Sequence, residues 1–299
     1  MTSSPASSDG FGAVRLSSAS LTNLEQLGYT RMTPIQAASL PITLAGQDLI
    51  AQASTGSGKT AAFGLPLVER LASAGVPGAP VQAVVLCPTR ELADQVTQEI
   101  RRLARARPNV KVVTLCGGVA LRGQVQSLEH GADVVVGTPG RILDHLERGS
   151  LSLEAVNTLV LDEADRMLDM GFFDDIAKVV RQCAKDRQTL LFSATYPEGI
   201  AQLAAQFMRS PQTVKVEALH SAHKIRQIFV EVSETERLHA VSQLLAHFRP
   251  ERTLAFCNTK QQCRDLVEVL QAQGYVALAL YGELEQRERD QVLVQFANR

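Results

Sequence analysis

Lys59 and Thr60 follow a run, Ser54-Thr55-Gly56-Ser57-Gly58, that holds no large side chain. Such a run lets successive backbone N–H groups converge on one anion, and a helix beginning just after it adds the favourable end of its dipole. A lysine placed there reaches the β- and γ-phosphates of a nucleotide, and the next hydroxyl suits Mg²⁺, so Lys59 and Thr60 are read in these two roles. The general pattern wants glycine five residues before Gly58, where this sequence has Ala53. On these residues alone, a Gly/Ser turn ahead of an exposed lysine stands beside the phosphate-loop reading.

A second set lies about a hundred residues on. Asn157-Thr158-Leu159-Val160-Leu161 is an apolar run that ends on Asp162 and Glu163, with Ala164 and Asp165 behind. Mg²⁺ is held through few carboxylates and several waters, which makes Asp162 the candidate metal residue, acting through water, and Glu163 the candidate base for an attacking water. Asp162 as the plain cap of a helix starting at Glu163 is the bland alternative. It loses ground downstream of a phosphate loop with strands between. Ser193 and Thr195 close a third apolar run and offer hydroxyls at its end, for hydrogen bonds to Asp165 or a neighbour.

These groups must be held at the ends of strands, and the chain supplies them. Apolar, β-rich runs at 48–53, 81–87, 111–115, 133–137, 157–162, 188–193 and 213–216 alternate with helical segments such as 90–105, 141–148 and 200–208. Continuous apolar strands between helices imply a parallel sheet covered on both faces, in an α/β fold whose ligands sit beyond the strand C-termini. Upstream, Leu21, Leu24 and Leu27 share a helical face that Gly28 stops; Thr33 then caps a helix with Pro34 at its first position. The more polar stretch 218–224, with His220 and His223 read as solvated loop residues, serves as a linker. The alternation restarts with strands at 226–232, 253–257 and 275–281 and helices at 234–248, 260–273 and 284–297.

Length and composition agree with two domains. The 299 residues are 45% hydrophobic and 20% charged, with 30 basic against 31 acidic groups and a net charge of −1. That composition is neither disordered nor fibrous, and it carries no global basic field to announce a nucleic-acid partner, so any such contact must be local. Cys87, Cys116, Cys183, Cys257 and Cys263 form no C-x-x-C pair and read as reduced residues. With no long apolar span and no apolar leader in the Ser-rich first ten residues, which read as a disordered lead-in, a cytoplasmic location is expected. Arg101, Arg102, Arg105 and Arg107 read as a solvated helix face.

Asp162-Glu163-Ala164-Asp165 spells the signature of the DEAD-box RNA helicase family, and the chain resembles that family from Phe11 to its last residue. The resemblance implies two RecA-like domains, with ATP and Mg²⁺ bound on the first. The family has Ala where this loop has Ala53. Gly28-Tyr29-Thr30-Arg31 through Thr33-Pro34-Ile35-Gln36 resembles the Q motif, which places Gln36 on the adenine edge, Phe11 against the adenine ring and Arg31 at the same site. Pro88-Thr89-Arg90, Gly117-Gly118 and Thr138-Pro139-Gly140-Arg141 resemble the motifs that contact RNA backbone, and Gln286 and Arg289 resemble a Q-x-x-R motif on the RNA side. Backbone contacts position a strand and carry no base readout. Ser193-Ala194-Thr195 resembles the motif that couples hydrolysis to strand separation.

Residues 86–96 and 282–291 are similar to the bacterial DbpA subgroup, which acts on ribosomal RNA in large-subunit assembly through a C-terminal RNA-binding domain that this sequence lacks. The family's Ala-Arg-Gly-x-Asp and His-Arg-x-Gly-Arg motifs also do not occur in the sequence. The resemblance therefore implies domain 1 over 11–217 and the N-terminal half of domain 2 over 225–299. The expected activity is local, ATP-dependent unwinding of short RNA duplexes, by bending one strand in a cleft closed by ATP. For residues 1–299 themselves the expectation is ATP binding with little RNA-stimulated turnover, and an unpaired apolar edge after about residue 220. An ATP-regulated RNA clamp without productive turnover is the rival reading.

Overall fold

The computed structural model describes residues 9–72, 79–216 and 226–298. The chain divides into two compact units, Met1–Leu219 and His220–Arg299. The expected linker at 218–224 and most of the expected lead-in lie outside the described residues. Asp9 and Gly10 are already structured: the Asp9 carbonyl accepts from Met32 N–H at 2.8 Å, and Gly10 precedes a short 3-10 helix at Phe11–Ala13.

The first unit is built on seven parallel strands: β1 (Leu49–Gln52), β2 (Ala83–Leu86), β3 (Val112–Leu115), β4 (Val134–Gly137), β5 (Thr158–Leu161), β6 (Gln188–Ser193) and β7 (Gln212–Lys215). Their order is β3-β4-β2-β5-β6-β1-β7. The helices are α1 (Ser18–Gln26), α2 (Pro34–Leu44), α3 (Lys59–Arg70), α4 (Arg90–Leu103), α5 (Leu121–Glu129), α6 (Pro139–Glu147), α7 (Ala164–Asp169), α8 (Phe173–Gln182) and α9 (Glu198–Phe207).

Side-chain alternation explains the apolar runs. Ala83 and Val85 of β2, Val160 of β5, and Leu190 and Phe192 of β6 enter a core with Phe63, Val96 and Ile100 of α3 and α4. Their neighbours Val84, Leu86, Leu159, Leu161 and Leu191 enter the opposite core with Ile142, Ile176, Val180 and Leu203 of α6, α8 and α9. Both faces of each central strand are buried, so period 2 disappears from the hydropathy pattern and an unbroken apolar run remains. A third cluster seats Phe11, Leu24, Leu40 and Leu65 together, fixing the N-terminal segment against α2 and α3.

Strand order positions the chemistry. β6 lies between β1 and β5, with Gln52 in register with Ser193 and Leu161 with Leu191. The C-terminal end of β6 thus falls between the phosphate-loop candidate and the acid pair. At β4, Gly137 approaches β3 so closely that a Cβ there would sit 2.1 Å from the Leu115 carbonyl oxygen.

The second unit contains α10 (Arg237–Phe248), α11 (Lys260–Ala272) and α12 (Gln286–Asn298), close to the helices expected from sequence. The three expected strands are corrected: 226–232, 253–257 and 275–281 carry no ladder among the described residues. A strand exists only through a partner's hydrogen bonds, and without one these runs expose their side chains, Phe229 at 92% and Phe256 at 94%.

Candidate nucleotide and RNA sites

The loop between β1 and α3 turns on Gly56 (φ +78°) and Gly58 (φ +94°), conformations that strain any residue with a Cβ. Ser57 Oγ donates to the Ser54 carbonyl at 2.7 Å and braces the loop. Lys59, the first residue of α3, is buried, and its Nζ has no hydrogen-bond partner. A buried ammonium without a partner is costly, so the loop presents a cation prepared for an anion. Thr60 follows on the same helix end, partly exposed.

Gln36 supports this loop. Its Oε1 accepts from Thr33 N–H at 2.9 Å, capping α2, and its Nε2 donates to the Gly58 carbonyl at 3.1 Å. A Cβ on Gly58 would lie 2.6 Å from that Nε2, so the glycine is required by contact as well as by φ. Each end of the amide has used one hydrogen bond of its two and keeps one for a ligand. Phe11 is buried and packs edge-on against Tyr29 with ring centroids 6.0 Å apart, and Arg31 is exposed.

At the end of β5, Asp162 is fully enclosed. Burial is the main reason its carboxyl is raised to about 6; the nearby Lys59 opposes that shift, and Glu163 adds to it. Asp162 Oδ1 accepts from the Glu163 N–H at 3.0 Å. Glu163 sits in the left-handed region (φ +49°), strain of a kind found at functional sites, about 1–3 kcal/mol for a residue of this type. Its Oε1 accepts from Thr55 Oγ1 at 3.3 Å, joining the acid pair to the loop, and its Oε2 lies 3.7 Å from Arg166 Nη1.

Asp165 joins the acid pair to β6, a part that the sequence reading gave to the hydroxyls of Ser193 and Thr195 with Asp165 only as their partner. Its Oδ2 accepts from both the N–H (2.9 Å) and the hydroxyl (2.8 Å) of Thr195, and its own N–H donates to Ser193 Oγ at 3.2 Å. Burial pushes this carboxyl up, but the hydrogen bonds from Thr195, Ser193 and the Arg166 N–H outweigh it and hold it below its ordinary value.

Farther along the sheet, Thr89 caps α4 by accepting from Leu92 N–H, next to buried Pro88 and an Arg90–Asp94 ion pair at 3.6 Å. Gly117 and Gly118 lie exposed after β3. Thr138 and Pro139 open α6, with Gly140 and Arg141 in its first turn. The structure thus gathers three of the sequence-predicted loops beyond the C-terminal ends of β2, β3 and β4, which are neighbours in the sheet. Gln286 and Arg289 belong to the second unit, one helical turn apart on α12, with Arg289 Nη1 3.4 Å from Gln286 Oε1. Sequence reasoning missed Gln124 and His145, described below, which carry no motif.

The DEAD/DEAH box helicase family model matches residues 33–203, across the phosphate loop, the acid pair and the Ser193–Thr195 turn. The chain belongs to the DEAD-box family of ATP-dependent RNA helicases. A helicase conserved C-terminal domain matches residues 236–299. Over 280 residues the chain is 52% identical to the ATP-dependent RNA helicase DbpA of Escherichia coli, covering 94% of this chain and 61% of the relative. It is 42% identical to the DEAD-box ATP-dependent RNA helicase CshA of Geobacillus kaustophilus, covering 96% and 61% respectively. The chain thus spans about three fifths of the length of these relatives. Its fold is similar to that of a DEAD box protein from Methanococcus jannaschii, with a TM-score of 0.66 at 40% identity, covering 97% of this chain and 77% of that one.

Among the described residues no helix is long and apolar enough to cross a membrane, and no cluster of three or more His, Cys, Asp or Glu is assembled. Mg²⁺ in phosphoryl-transfer sites needs no such cluster, since one or two carboxylates and the phosphates suffice. The unpartnered Lys59 Nζ, the glycine loop and the enclosed Asp162 carboxyl fit a magnesium-bound polyphosphate.

Proposed function

We propose that this chain binds ATP and Mg²⁺ on its first unit and that, joined to a complete second domain, this unit couples that binding to the local separation of short RNA duplexes, with ribosomal RNA as the substrate; residues 1–299 alone bind ATP with little RNA-stimulated turnover. The observation that carries the reading is the buried, unpartnered Lys59 ammonium beside the Asp162–Glu163 pair. Lys59 receives the outer phosphates, and the N–H groups of Ser54, Thr55, Gly56, Ser57 and Gly58 cradle them. Thr60 and, through water, Asp162 would hold the metal, which when bound neutralises charge on the transferred phosphoryl group. Glu163, kept in place by Thr55, orients a water and takes its proton. Asp165 transmits the state of this pair to Ser193 and Thr195. Pro88-Thr89-Arg90, Gly117-Gly118 and Thr138-Pro139-Gly140-Arg141, with Gln286 and Arg289, hold RNA backbone. The similarity to DbpA supports the ribosomal substrate class. RNA-stimulated ATP hydrolysis and separation of a short RNA duplex by a protein extended through a complete second helicase domain test the proposal, with residues 1–299 beside it. Absence of both from the extended protein would overturn it.

Gln36 sets the choice of base in this reading. Its remaining donor and acceptor match the adenine edge, and guanine reverses the pattern. Calorimetric titration should show ATP preferred over GTP. Gln36→Ala should weaken ATP binding, and because it also releases Gly58 and Thr33, it should lower the thermal midpoint by the cost of about one buried hydrogen bond or two. Equal affinity for the two nucleotides in the unmutated chain would contradict the assignment.

Asp162 gives a pH dependence with a defined sign. Its folded carboxyl is raised to about 6, above an unfolded value of about 3.9, so the folded chain holds this proton more tightly between those limits. A metal ligand must be ionised. Magnesium-dependent nucleotide affinity should therefore be full above pH 7 and fall as pH drops through about 6. Asp162→Asn should remove that dependence, and a flat profile in the unmutated protein would count against the role.

A further inference from the structure

The guanidinium of Arg141, at the start of α6, is tied down from inside the protein. Its Nη1 donates to the Val119 carbonyl at 3.1 Å and to Gln124 Oε1 at 3.0 Å, and its Nε lies 3.4 Å from Asp144 Oδ2. Nη2 makes no hydrogen bond among the described residues and remains for an incoming acceptor. Gln124, on α5, is buried, and its amide is held from three directions. Nε2 donates to the Cys116 carbonyl at 2.8 Å, and Oε1 also meets His145 Nε2 at 2.9 Å. Cys116 immediately precedes the Gly117-Gly118 turn, and Val119 follows it, so one side chain fastens that turn to the first turn of α6.

The tautomer follows from the contacts. Gln124 Oε1 can only accept, so His145 Nε2 carries a proton, and in the neutral ring Nδ1 accepts from Ser150 Oγ at 2.8 Å. His145 has no exposed surface, and its burial, then Arg141, lower its basicity, which keeps the ring neutral. Ser150, His145 and Gln124 form a relay of hydrogen bonds that ends on Arg141. A buried network of mutually supporting hydrogen bonds fixes geometry more firmly than its separate bonds would.

We propose that Gln124, backed by His145, is a positioning residue for the RNA strand: it holds the Arg141 guanidinium and the Gly117–Val119 turn in one arrangement so that they take up the same stretch of phosphate backbone. The inference rests on the reading of these two loops as RNA contacts. Gln124 touches no RNA itself and acts through Arg141.

A salt titration separates this role from a merely structural one. Each phosphate contact to single-stranded RNA contributes about 0.7 to the slope of log affinity against log salt. Binding of a fluorescein-labelled ten-nucleotide oligouridylate to the full chain, with a non-hydrolysable ATP analogue present, is followed by anisotropy at several salt concentrations. Arg141→Ala should weaken binding by roughly tenfold, one charge-assisted contact, and lower the slope by about 0.7. Gln124→Met fills the same volume without an acceptor. It should lower the slope by the same amount, and adding it to Arg141→Ala should lower it no further. Gln124→Glu keeps the acceptor for Arg141 and His145 but loses the Nε2–H bond to the Cys116 carbonyl, so it should keep the Arg141 share of the slope while the loosened turn lowers overall affinity. Affinity for the ATP analogue, unchanged in each variant, reports that the fold is intact. If Arg141→Ala lowers the slope while Gln124→Met leaves it unmutated, or if Gln124→Glu lowers it as far as Arg141→Ala does, the positioning role is wrong. If Arg141→Ala changes neither affinity nor slope, the RNA reading of the α6 turn falls, and the inference falls with it.

Discussion

Glu163→Gln should leave ATP affinity within a few-fold of the unmutated value and reduce RNA-stimulated ATP turnover, in a protein extended through a complete second domain, by roughly 10²- to 10⁴-fold, the usual contribution of a positioned general base. The substitution is nearly isosteric. A glutamine Oε1 still accepts from Thr55 Oγ1, as the Glu163 Oε1 does at 3.3 Å, and the backbone N–H that donates to Asp162 Oδ1 is untouched. What disappears is a basic oxygen able to take a proton from water, together with the weak attraction to Arg166 Nη1 at 3.7 Å. That ion pair involves an exposed arginine and contributes little to stability, so the melting temperature should hardly move. Single-turnover hydrolysis with saturating RNA, beside an ATP titration, checks both parts. Turnover within threefold of the unmutated protein would remove Glu163 from the role of base.

The left-handed backbone at Glu163 bears on the same test. A non-glycine residue at φ +49° is held by its surroundings, here by the bond of its own N–H to Asp162 and by the Asp165 network in the first turn of α7. The carboxylate direction is therefore fixed before substrate arrives, which is how a base gains effectiveness without moving.

Much of the first unit was legible because its strands are buried on both faces. At β2, β4 and β5 unbroken apolar runs bounded each strand to within two residues. β7 was harder. It pairs with β1 alone at the sheet edge, with three of its four residues exposed, so register with β1 and not hydropathy sets its limits at Gln212–Lys215. Helix starts were legible where a cap was present, as at Thr89 and Thr33. Gln124 and His145 were not, because Cys116, Gln124, Arg141 and His145 meet only when α5 and α6 pack beside the sheet. No local spacing announces a relay spread over thirty residues of chain. In the second unit the apolar runs were legible but form no ladder among the described residues, since a strand is a property of two segments. Phe229, Leu254, Phe256 and Val276 remain exposed as a result.

Lys59→Met should raise the dissociation constant for ATP by roughly 30-fold to several thousand-fold, the equivalent of about 2–5 kcal/mol for one partner of a desolvated charge pair. The ammonium is buried with no hydrogen-bond partner, so its hydrogen bonds must come from the ligand. The nucleotide-free protein offers a second, opposite readout. Removing an unsatisfied buried charge is stabilising, but Lys59 also opposes the burial that raises the Asp162 carboxyl to about 6. Without Lys59 that carboxyl rises further. At pH 5, where Asp162 is protonated with or without the lysine, the variant should melt at or above the unmutated temperature. As pH rises through 6 to 8, the variant is left with an uncompensated buried carboxyl, and its stability relative to the unmutated protein should fall. Thermal scans at pH 5 and 8 without nucleotide, beside calorimetric ATP titrations at pH 8, give the comparison. ATP affinity within twofold of normal would end the phosphate-loop assignment, whereas a large loss of stability at pH 5 would show that Lys59 holds the fold together on its own account.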